Sequence, residues 1–284
     1  MSRIAYVNGR YLPHAHATVH IEDRGYQFSD GVYEVCEVRG GRLIDERRHL
    51  ARLVRSLDEL RIALPMPLAA LGVVLRETVR RNRVHHGLVY VQVTRGVARR
   101  DHAFPPAGTP PSLVVTARNL DFSANERAAT DGIAVITLPD NRWDRVDIKA
   151  VALLPNVLAK QAARDRGAKE AWFVDRDGRV TEGASTNAWI VLDGKLVTRP
   201  AEHGILRGIT RTVLLDIIRA KGLELDERAF SVEEAYRAQE AFITAASLIV
   251  MPVVRIDGRV IGGGVPGPVA GSLRGQFHHY AELS

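Results

Sequence analysis

Asp177-Gly178-Arg179-Val180-Thr181-Glu182-Gly183-Ala184-Ser185-Thr186-Asn187-Ala188-Trp189-Ile190-Val191-Leu192-Asp193-Gly194 sets the architecture of this chain. An Asp-Gly pair stands at each end, and the β-rich run between them leads into Ala188-Trp189-Ile190-Val191. Asp-Gly and Asn-Gly supply the positive φ angles of two-residue hairpins. The same punctuation recurs at Asn8-Gly9 after Ile4-Ala5-Tyr6-Val7, at Gly40-Gly41 before Arg42-Leu43-Ile44, and at Asp257-Gly258. Hairpins join antiparallel strands, so the pattern predicts a largely antiparallel sheet and argues against a doubly wound parallel one. Neither a GxGxxG nor a Walker sequence is present.

Helices interrupt the hairpins. Leu50, Leu53, Val54, Leu57 and Leu60 recur at helical spacing between Arg48 and Leu60. A second helix is expected over Leu68–Arg83, and a third from about Pro155 to Arg166 with proline in its first turn. A fourth runs from Thr210 to Lys221 and stops at Gly222. Ser231 and Glu234 form a capping box before a fifth, and a last helix lies near Val269–Tyr280. Leu120 to Arg127 is polar and unpatterned. The expected organisation is an N-terminal α/β domain over 1–120, a linker over 121–131, and a C-terminal α/β domain over 132–284 that carries Lys149. The fold class is α/β in the α+β sense.

The 284 residues are 46% hydrophobic and 25% charged, as in a soluble globular protein. No apolar run approaches the roughly 18 residues of a membrane span, and Met1 to His20 contains no secretory h-region. The single cysteine, Cys36, forms no internal disulfide and supplies no zinc cluster; it reads as a small buried hydrophobe and fits a reducing cytoplasm. No metal site is expected. The net charge of +6 comes from arginines mixed with acids, as in Asp45-Glu46-Arg47-Arg48 and Arg164-Asp165-Arg166. That is a solvated surface suited to small anions, not a nucleic-acid stripe.

Lysine chemistry has few candidates. Lys160, Lys169, Lys195 and Lys221 lie on helix faces, in a hairpin turn or at a helix C-terminus. Lys149 alone leads into an apolar run, Ala150-Val151-Ala152-Leu153-Leu154, where a lysine at the rim of a core suits a Schiff base. A snorkelling surface lysine is its plainer reading. Leu206-Arg207-Gly208-Ile209-Thr210-Arg211 passes from loop into helix; the Ile209 and Thr210 amides and the Thr210 hydroxyl suit an anion, or a simple threonine cap. Ser247 offers another hydroxyl, and Arg52 is a candidate charged partner on the first helix. Glu182 stands among small residues at a strand entry, where a carboxylate can hold a protonated ring nitrogen or simply face solvent. Arg100 and His102 alternate in a basic loop and form either a carboxylate trap or a surface charge cluster.

Taken together, these stretches resemble the D-amino-acid aminotransferases of the class IV, fold-type IV pyridoxal-phosphate family. The resemblance runs from about Ile21 to Val254. It is carried by Glu22-Asp23-Arg24-Gly25-Tyr26-Gln27-Phe28 with Asp30-Gly31-Val32-Tyr33-Glu34-Val35, by Gln92-Val93-Thr94-Arg95-Gly96, Asp147-Ile148-Lys149, Leu158-Ala159-Lys160-Gln161, Thr181-Glu182-Gly183 and Gly208-Ile209-Thr210-Arg211. It implies pyridoxal 5'-phosphate between an N-terminal α/β domain and a C-terminal pseudo-barrel α/β domain. Lys149 is then the Schiff-base lysine and proton shuttle, and Glu182 the partner of the pyridine nitrogen. Arg52, Gly208, Ile209, Thr210 and Ser247 hold the phosphate, and Leu206 supports the ring. Tyr33, Arg100 and His102 take the substrate carboxylate, the last two reaching in from the partner of a homodimer. Ala245-Ala246 stands where the family is hydroxyl-rich, which predicts one phosphate contact fewer.

The implied reaction passes an amino group from a D-amino acid such as D-alanine to a 2-oxo acid such as 2-oxoglutarate or pyruvate. Branched-chain L-amino-acid aminotransferase, (R)-amine transaminase and aminodeoxychorismate lyase activities share the fold and remain alternatives. A non-catalytic basic binding protein is the alternative from another class, and it leaves the motif set unexplained.

Overall fold

In the computed structural model, which describes residues 3–202 and 204–284, the dipeptide turns fall where the sequence puts them. Both residues have positive φ at Asn8-Gly9, Gly40-Gly41, Asp193-Gly194 and Asp257-Gly258. Asp177-Gly178 differs: only Gly178 is left-handed, at φ 74. Its turn is longer, closed by Gly178 N to Asp175 O at 3.1 Å and Asp175 N to Arg179 O at 2.9 Å.

The chain divides into two units. The first holds the chain through Phe122, with Ile148–Ala152 and Glu282–Ser284; the second holds Ser123–Asp147 and Leu153–Ala281. In the first unit, β1 (Ile4–Val7), β2 (Arg10–Pro13), β3 (Gly31–Arg39), β4 (Arg42–Leu43), β5 (His86–Thr94) and β6 (Ser112–Asn119) form a six-stranded sheet ordered β2-β1-β6-β5-β3-β4. Every pairing in it is antiparallel. The α-helices α1 (Arg24–Phe28), α2 (Glu46–Glu59) and α3 (Leu68–Arg81) accompany it. Leu53 and Leu57 of α2 and Leu71 and Leu75 of α3 share one core with Val32, Cys36, Val91 and Val115 of the sheet. Burying such side chains contributes roughly 1.5–3 kcal/mol each. Helix α1 carries no periodic signal; Asp23 caps it by accepting from Gly25 N at 2.8 Å.

The second unit contains α4 (Ser123–Asp131), β7 (Ile133–Pro139), α5 (Leu154–Asp165), β8 (Glu170–Val174), β9 (Arg179–Gly183), β10 (Asn187–Leu192), β11 (Lys195–Thr198), α6 (Ile209–Ala220), β12 (Leu225–Glu227), β13 (Phe230–Ser231), α7 (Val232–Tyr236), β14 (Glu240–Ala245), β15 (Ile249–Ile256), β16 (Arg259–Val260) and α8 (Pro268–Tyr280). Its ten-stranded sheet runs β12-β11-β10-β14-β15-β7-β8-β9-β13, with β16 on β15. Among the described residues only β11–β12, β15–β7 and β7–β8 are parallel. Strands β9 and β10 lie far apart in that order, yet only Ala184, Ser185 and Thr186 separate them in sequence. So short a link requires the sheet to curl, which is the pseudo-barrel of fold-type IV. Among the described residues no helix is long and apolar enough to cross a membrane.

Two segments differ from the sequence reading. Residues 123–131 of the expected linker form α4, whose Ala128 and Ala129 pack on the second unit's core. The segment around Lys149, expected in the C-terminal domain, belongs to the first unit. Tyr33 N donates to Lys149 O at 3.0 Å and Val151 N to Gly31 O at 3.0 Å, so β3 captures its backbone. Ile148 and Ala150 are buried in the first unit's core on either side of the lysine.

Candidate active site

On the first unit, Lys149 is half-buried and its Nζ stands 4.4 Å from the centroid of the Tyr33 ring. Lys149 N donates to Ser56 Oγ at 3.4 Å, and the β3 contacts hold its carbonyl, so the main chain is fixed while the side chain remains the movable part. Tyr33 stacks on Tyr90 with centroids 5.6 Å apart. One residue along β3, the buried Glu34 accepts from Arg52 Nε at 2.7 Å and Nη2 at 2.8 Å, and pairs with His49 Nδ1 at 2.8 Å. Burial pushes the Glu34 carboxyl up, but the Arg52 charge and the hydrogen bonds from Arg52 and His49 outweigh it and hold the group far below the usual carboxylate range. Arg52, singled out in the sequence for an anion, is thus oriented by a fork-to-fork pair with Glu34.

On the second unit, Glu182 is the next-to-last residue of β9 and is 5% exposed. Its Oε1 accepts from Arg142 Nη1 at 2.6 Å, its Oε2 from Asn187 Nδ2 at 3.0 Å, and both oxygens from Leu206 N, at 3.2 and 3.1 Å. Arg142 also forks onto Asp140, through Nε at 2.9 Å and Nη2 at 2.8 Å, and its guanidinium lies 4.5 Å from the Phe173 ring centroid. Burial pushes the Asp140 carboxyl up, but the hydrogen bonds and charge of Arg142 hold it below the usual range. Burial works against the Arg142 charge, and Asp140 and Glu182 override it, so the guanidinium stays charged.

The phosphate candidates are on the same unit. Helix α6 starts one residue before Thr210, with Gly208 as its N-cap and no side-chain cap. The first bond from its N-terminus runs from Thr212 N to Gly208 O at 3.0 Å, so the amides of Ile209 and Thr210 precede the helical ladder and point from its N-terminus. Thr210 therefore serves as an early helical residue and not as a cap. A Cβ on Gly208 would run into Asn187 Oδ1, well inside contact distance. Ser247 sits in the turn between β14 and β15, held by Asn125 Nδ2 to Ser247 O at 2.9 Å and by Arg274 Nη1 to Leu248 O at 2.7 Å. Ile249, closing that turn, has φ 62, a strained conformation for a β-branched residue and one that concentrates at functional sites.

Arg100 and His102 are exposed in the loop after β5, and both pack on the Phe28 ring, at 4.6 Å from the guanidinium carbon and 5.4 Å between centroids. The hydroxyls of Ser185 and Thr186 are taken by buried Glu170, at 2.9 and 3.2 Å. Sequence reasoning missed Arg142, Asp140 and Asn187. Arg142 follows the turn-prone Pro139-Asp140-Asn141, and its N donates to Asp140 Oδ1 at 3.2 Å, but a local turn does not reveal a partner 40 residues away.

The family model for amino-transferase class IV matches residues 31–256. A D-alanine aminotransferase of Bacillus licheniformis is 41% identical over 267 residues, 94% of this chain and 93% of that protein. A D-alanine aminotransferase of Staphylococcus haemolyticus is 38% identical over 277 residues, 98% of this chain and 97% of its own. A branched-chain amino acid aminotransferase solved with pyridoxamine 5'-phosphate is similar in structure, with TM-score 0.90 and 25% identity over 99% of this chain and 98% of that one. The branched-chain aminotransferase of Thermoproteus uzoniensis, solved with norvaline, has TM-score 0.89 and 25% identity over 100% of this chain and 99% of its own. Matched by the family model over most of its length and 41% identical to a relative along nearly the whole chain, the chain belongs to the class IV aminotransferases, enzymes of pyridoxal phosphate.

Proposed function

We propose that this protein transfers an amino group between a D-amino acid resembling D-alanine and a 2-oxo acid, using pyridoxal 5'-phosphate bound through Lys149. The observation that carries the substrate class is the basic pair Arg100 and His102, set side by side on Phe28 in an exposed loop. Such a pair suits an α-carboxylate. The full-length likeness to proteins named D-alanine aminotransferases supports the D configuration.

The donor set fits the cofactor. Asp140, Arg142 and Glu182, with side chains 14%, 7% and 6% exposed, put two carboxylates around one guanidinium. That excess of negative charge favours a cation such as a protonated pyridine nitrogen. The α6 amides and Ser247 suit its phosphate, and Leu206 carries the ring. When bound, the cofactor withdraws electrons from the substrate Cα. Lys149 would take the Cα proton of the donor amino acid and, in the second half-reaction, deliver a proton to the carbon that was the carbonyl of the 2-oxo acid, both on one face, which sets the handedness. Arg142, donating to Glu182 at 2.6 Å, holds that carboxylate in place. Tyr33 lies beside Lys149, while Arg100 and His102, exposed in the single chain, serve the site of a second copy in a homodimer. A cytoplasmic location belongs to the same proposal.

The test is the visible absorption of the purified holoenzyme with D-alanine, L-leucine or an (R)-amine added separately. D-alanine alone should bleach the lysine-bound cofactor band within seconds. Bleaching by L-leucine or by the amine, and not by D-alanine, would overturn the substrate assignment while leaving Lys149 in place.

A further inference from the structure

Two of the sequence stretches that mark the family have no part in the reaction just described: Asp23 to Asp30, and Thr94-Arg95-Gly96. In the structure they form one knot. Asp30 Oδ2 accepts from Arg24 Nε at 2.9 Å and from Arg95 Nε at 2.7 Å, and Oδ1 accepts from Arg95 Nη2 at 2.9 Å. Asp23 accepts from Thr94 Oγ1 at 3.0 Å, and Arg24 N donates to Gly96 O at 2.9 Å. A Cβ on Gly25 would collide with the Thr94 side chain, so only glycine lets α1 approach β5 this closely.

The knot reaches the carboxylate-binding loop. Arg24 Nη1 donates to Asp101 O at 2.6 Å and Nη2 to His102 O at 3.4 Å, so one guanidinium, 4% exposed, holds the backbone between Arg100 and His102. Arg95 donates to Arg61 O at 2.9 Å and Leu60 O at 2.7 Å, and its guanidinium lies 3.7 Å from the Phe104 ring centroid. Two guanidiniums share one carboxylate, and the surplus positive charge is turned toward main-chain carbonyls. The loop residues Arg99 to Phe104 are themselves exposed and have little burial of their own to order them.

We propose that Asp30, acting through Arg24 and Arg95, is the positioning residue that fixes the Arg99–Pro105 loop and so presents Arg100 and His102 to the substrate carboxylate. The proposal rests on the carboxylate role given to that pair above. Asp30 orients both guanidiniums, Arg24 sets the main chain of the loop, and Arg95 holds its far end through Phe104. Hydrogen bonds and charge from Arg95 and Arg24 outweigh the effect of burial and keep the Asp30 carboxyl below the usual range, so the hub stays ionised. Loss of the hub moves the loop rather than the lysine, and a misplacement of about 1 Å is enough to be felt in kinetics.

The experiment compares steady-state kinetics of the holoenzyme carrying Asp30→Asn, Arg24→Ala, Arg24→Lys, Phe104→Ala, Arg100→Ala and His102→Ala, with cofactor absorbance as the check on folding. Arg100→Ala should raise KM for both the D-amino acid and the 2-oxo acid. Asp30→Asn should raise the same two KM values by on the order of tenfold or more, with a smaller fall in kcat, and Arg24→Lys should recover part of the loss seen with Arg24→Ala. Phe104 is 49% exposed, so Phe104→Ala folds and gives the answer even if Asp30→Asn does not. A raised KM in Arg100→Ala with unchanged KM in Asp30→Asn or, failing that, in Phe104→Ala would overturn this inference alone. Unchanged KM in Arg100→Ala and His102→Ala would overturn the carboxylate reading and this inference with it.

Discussion

Arg142 donates to Glu182 across 40 positions of sequence, Nη1 to Oε1 at 2.6 Å, while the rest of its guanidinium grips Asp140. The carboxylate assigned to the ring nitrogen is therefore half of a buried ion pair whose other half is neutralised from behind. Arg142→Met leaves Glu182 buried without that counter-charge. Stability should fall by about 3–5 kcal/mol, read by denaturant melts, and the cofactor should dissociate more readily, read by equilibrium dialysis. Glu182→Gln should keep the fold and lower kcat by about 10²–10³-fold, as for loss of a preorganised charge. Unchanged cofactor affinity in Arg142→Met would show that Glu182 needs no brace.

Gly208→Ala tests the helix N-terminus. The new Cβ meets Asn187 Oδ1, and Asn187 in turn holds Glu182 Oε2 at 3.0 Å and Leu206 O at 2.9 Å. Relief of the clash pushes the α6 entry away from that group. Cofactor affinity should weaken about tenfold, the worth of roughly one hydrogen bond, while far-ultraviolet circular dichroism stays unchanged.

Glu34 gives a pH signature. Its carboxyl is lowered from 4.5 in the folded chain, so the stability it contributes is complete above about pH 5 and is lost as pH falls below 4.5 toward the folded value. Glu34→Gln leaves Arg52 and His49 without this counter-charge and should cost about 3–5 kcal/mol at pH 7. The gap between wild type and variant should close progressively below pH 4.5. A gap that stays constant down to about pH 3 would mean that Glu34 is not the carboxylate being protonated.

Lys149→Ala should abolish the lysine-bound cofactor band and lower turnover by at least about 10²–10⁴-fold, the range attributed to a positioned proton-transfer group. Ile148 and Ala150 pack in the core while the lysine side chain does not, so the melting temperature of the cofactor-free protein should barely move. Full transaminase activity in this variant would remove Lys149 from the mechanism.

Much of the fold was legible because hairpin turns and helix ends are local. Asp193-Gly194 carries φ 51 and 78 whatever packs around it, and the Ser231–Glu234 capping box forms within four residues of chain. Helix α1 was not legible, since five residues give no period, and α4 was hidden by a polar surface with no fully buried residue. Lys149, Glu182, Gly208 and Thr210 could be singled out as candidates from type, setting and the family resemblance together. The company they keep could not: Lys149 sits with β3 of the first unit, and Arg52 faces Glu34.

The sequence by itself determined the turn positions, most helix limits and the largely antiparallel character of the sheets, because each depends on conformational preferences within a few residues. Only the tertiary structure decided which charges meet. Arg142 with Glu182 and Arg24 with the carbonyl of Asp101 join positions 40 and 77 residues apart. Such pairs form where folding removes water and buried polar groups must find their partners within the protein, and no local pattern records that.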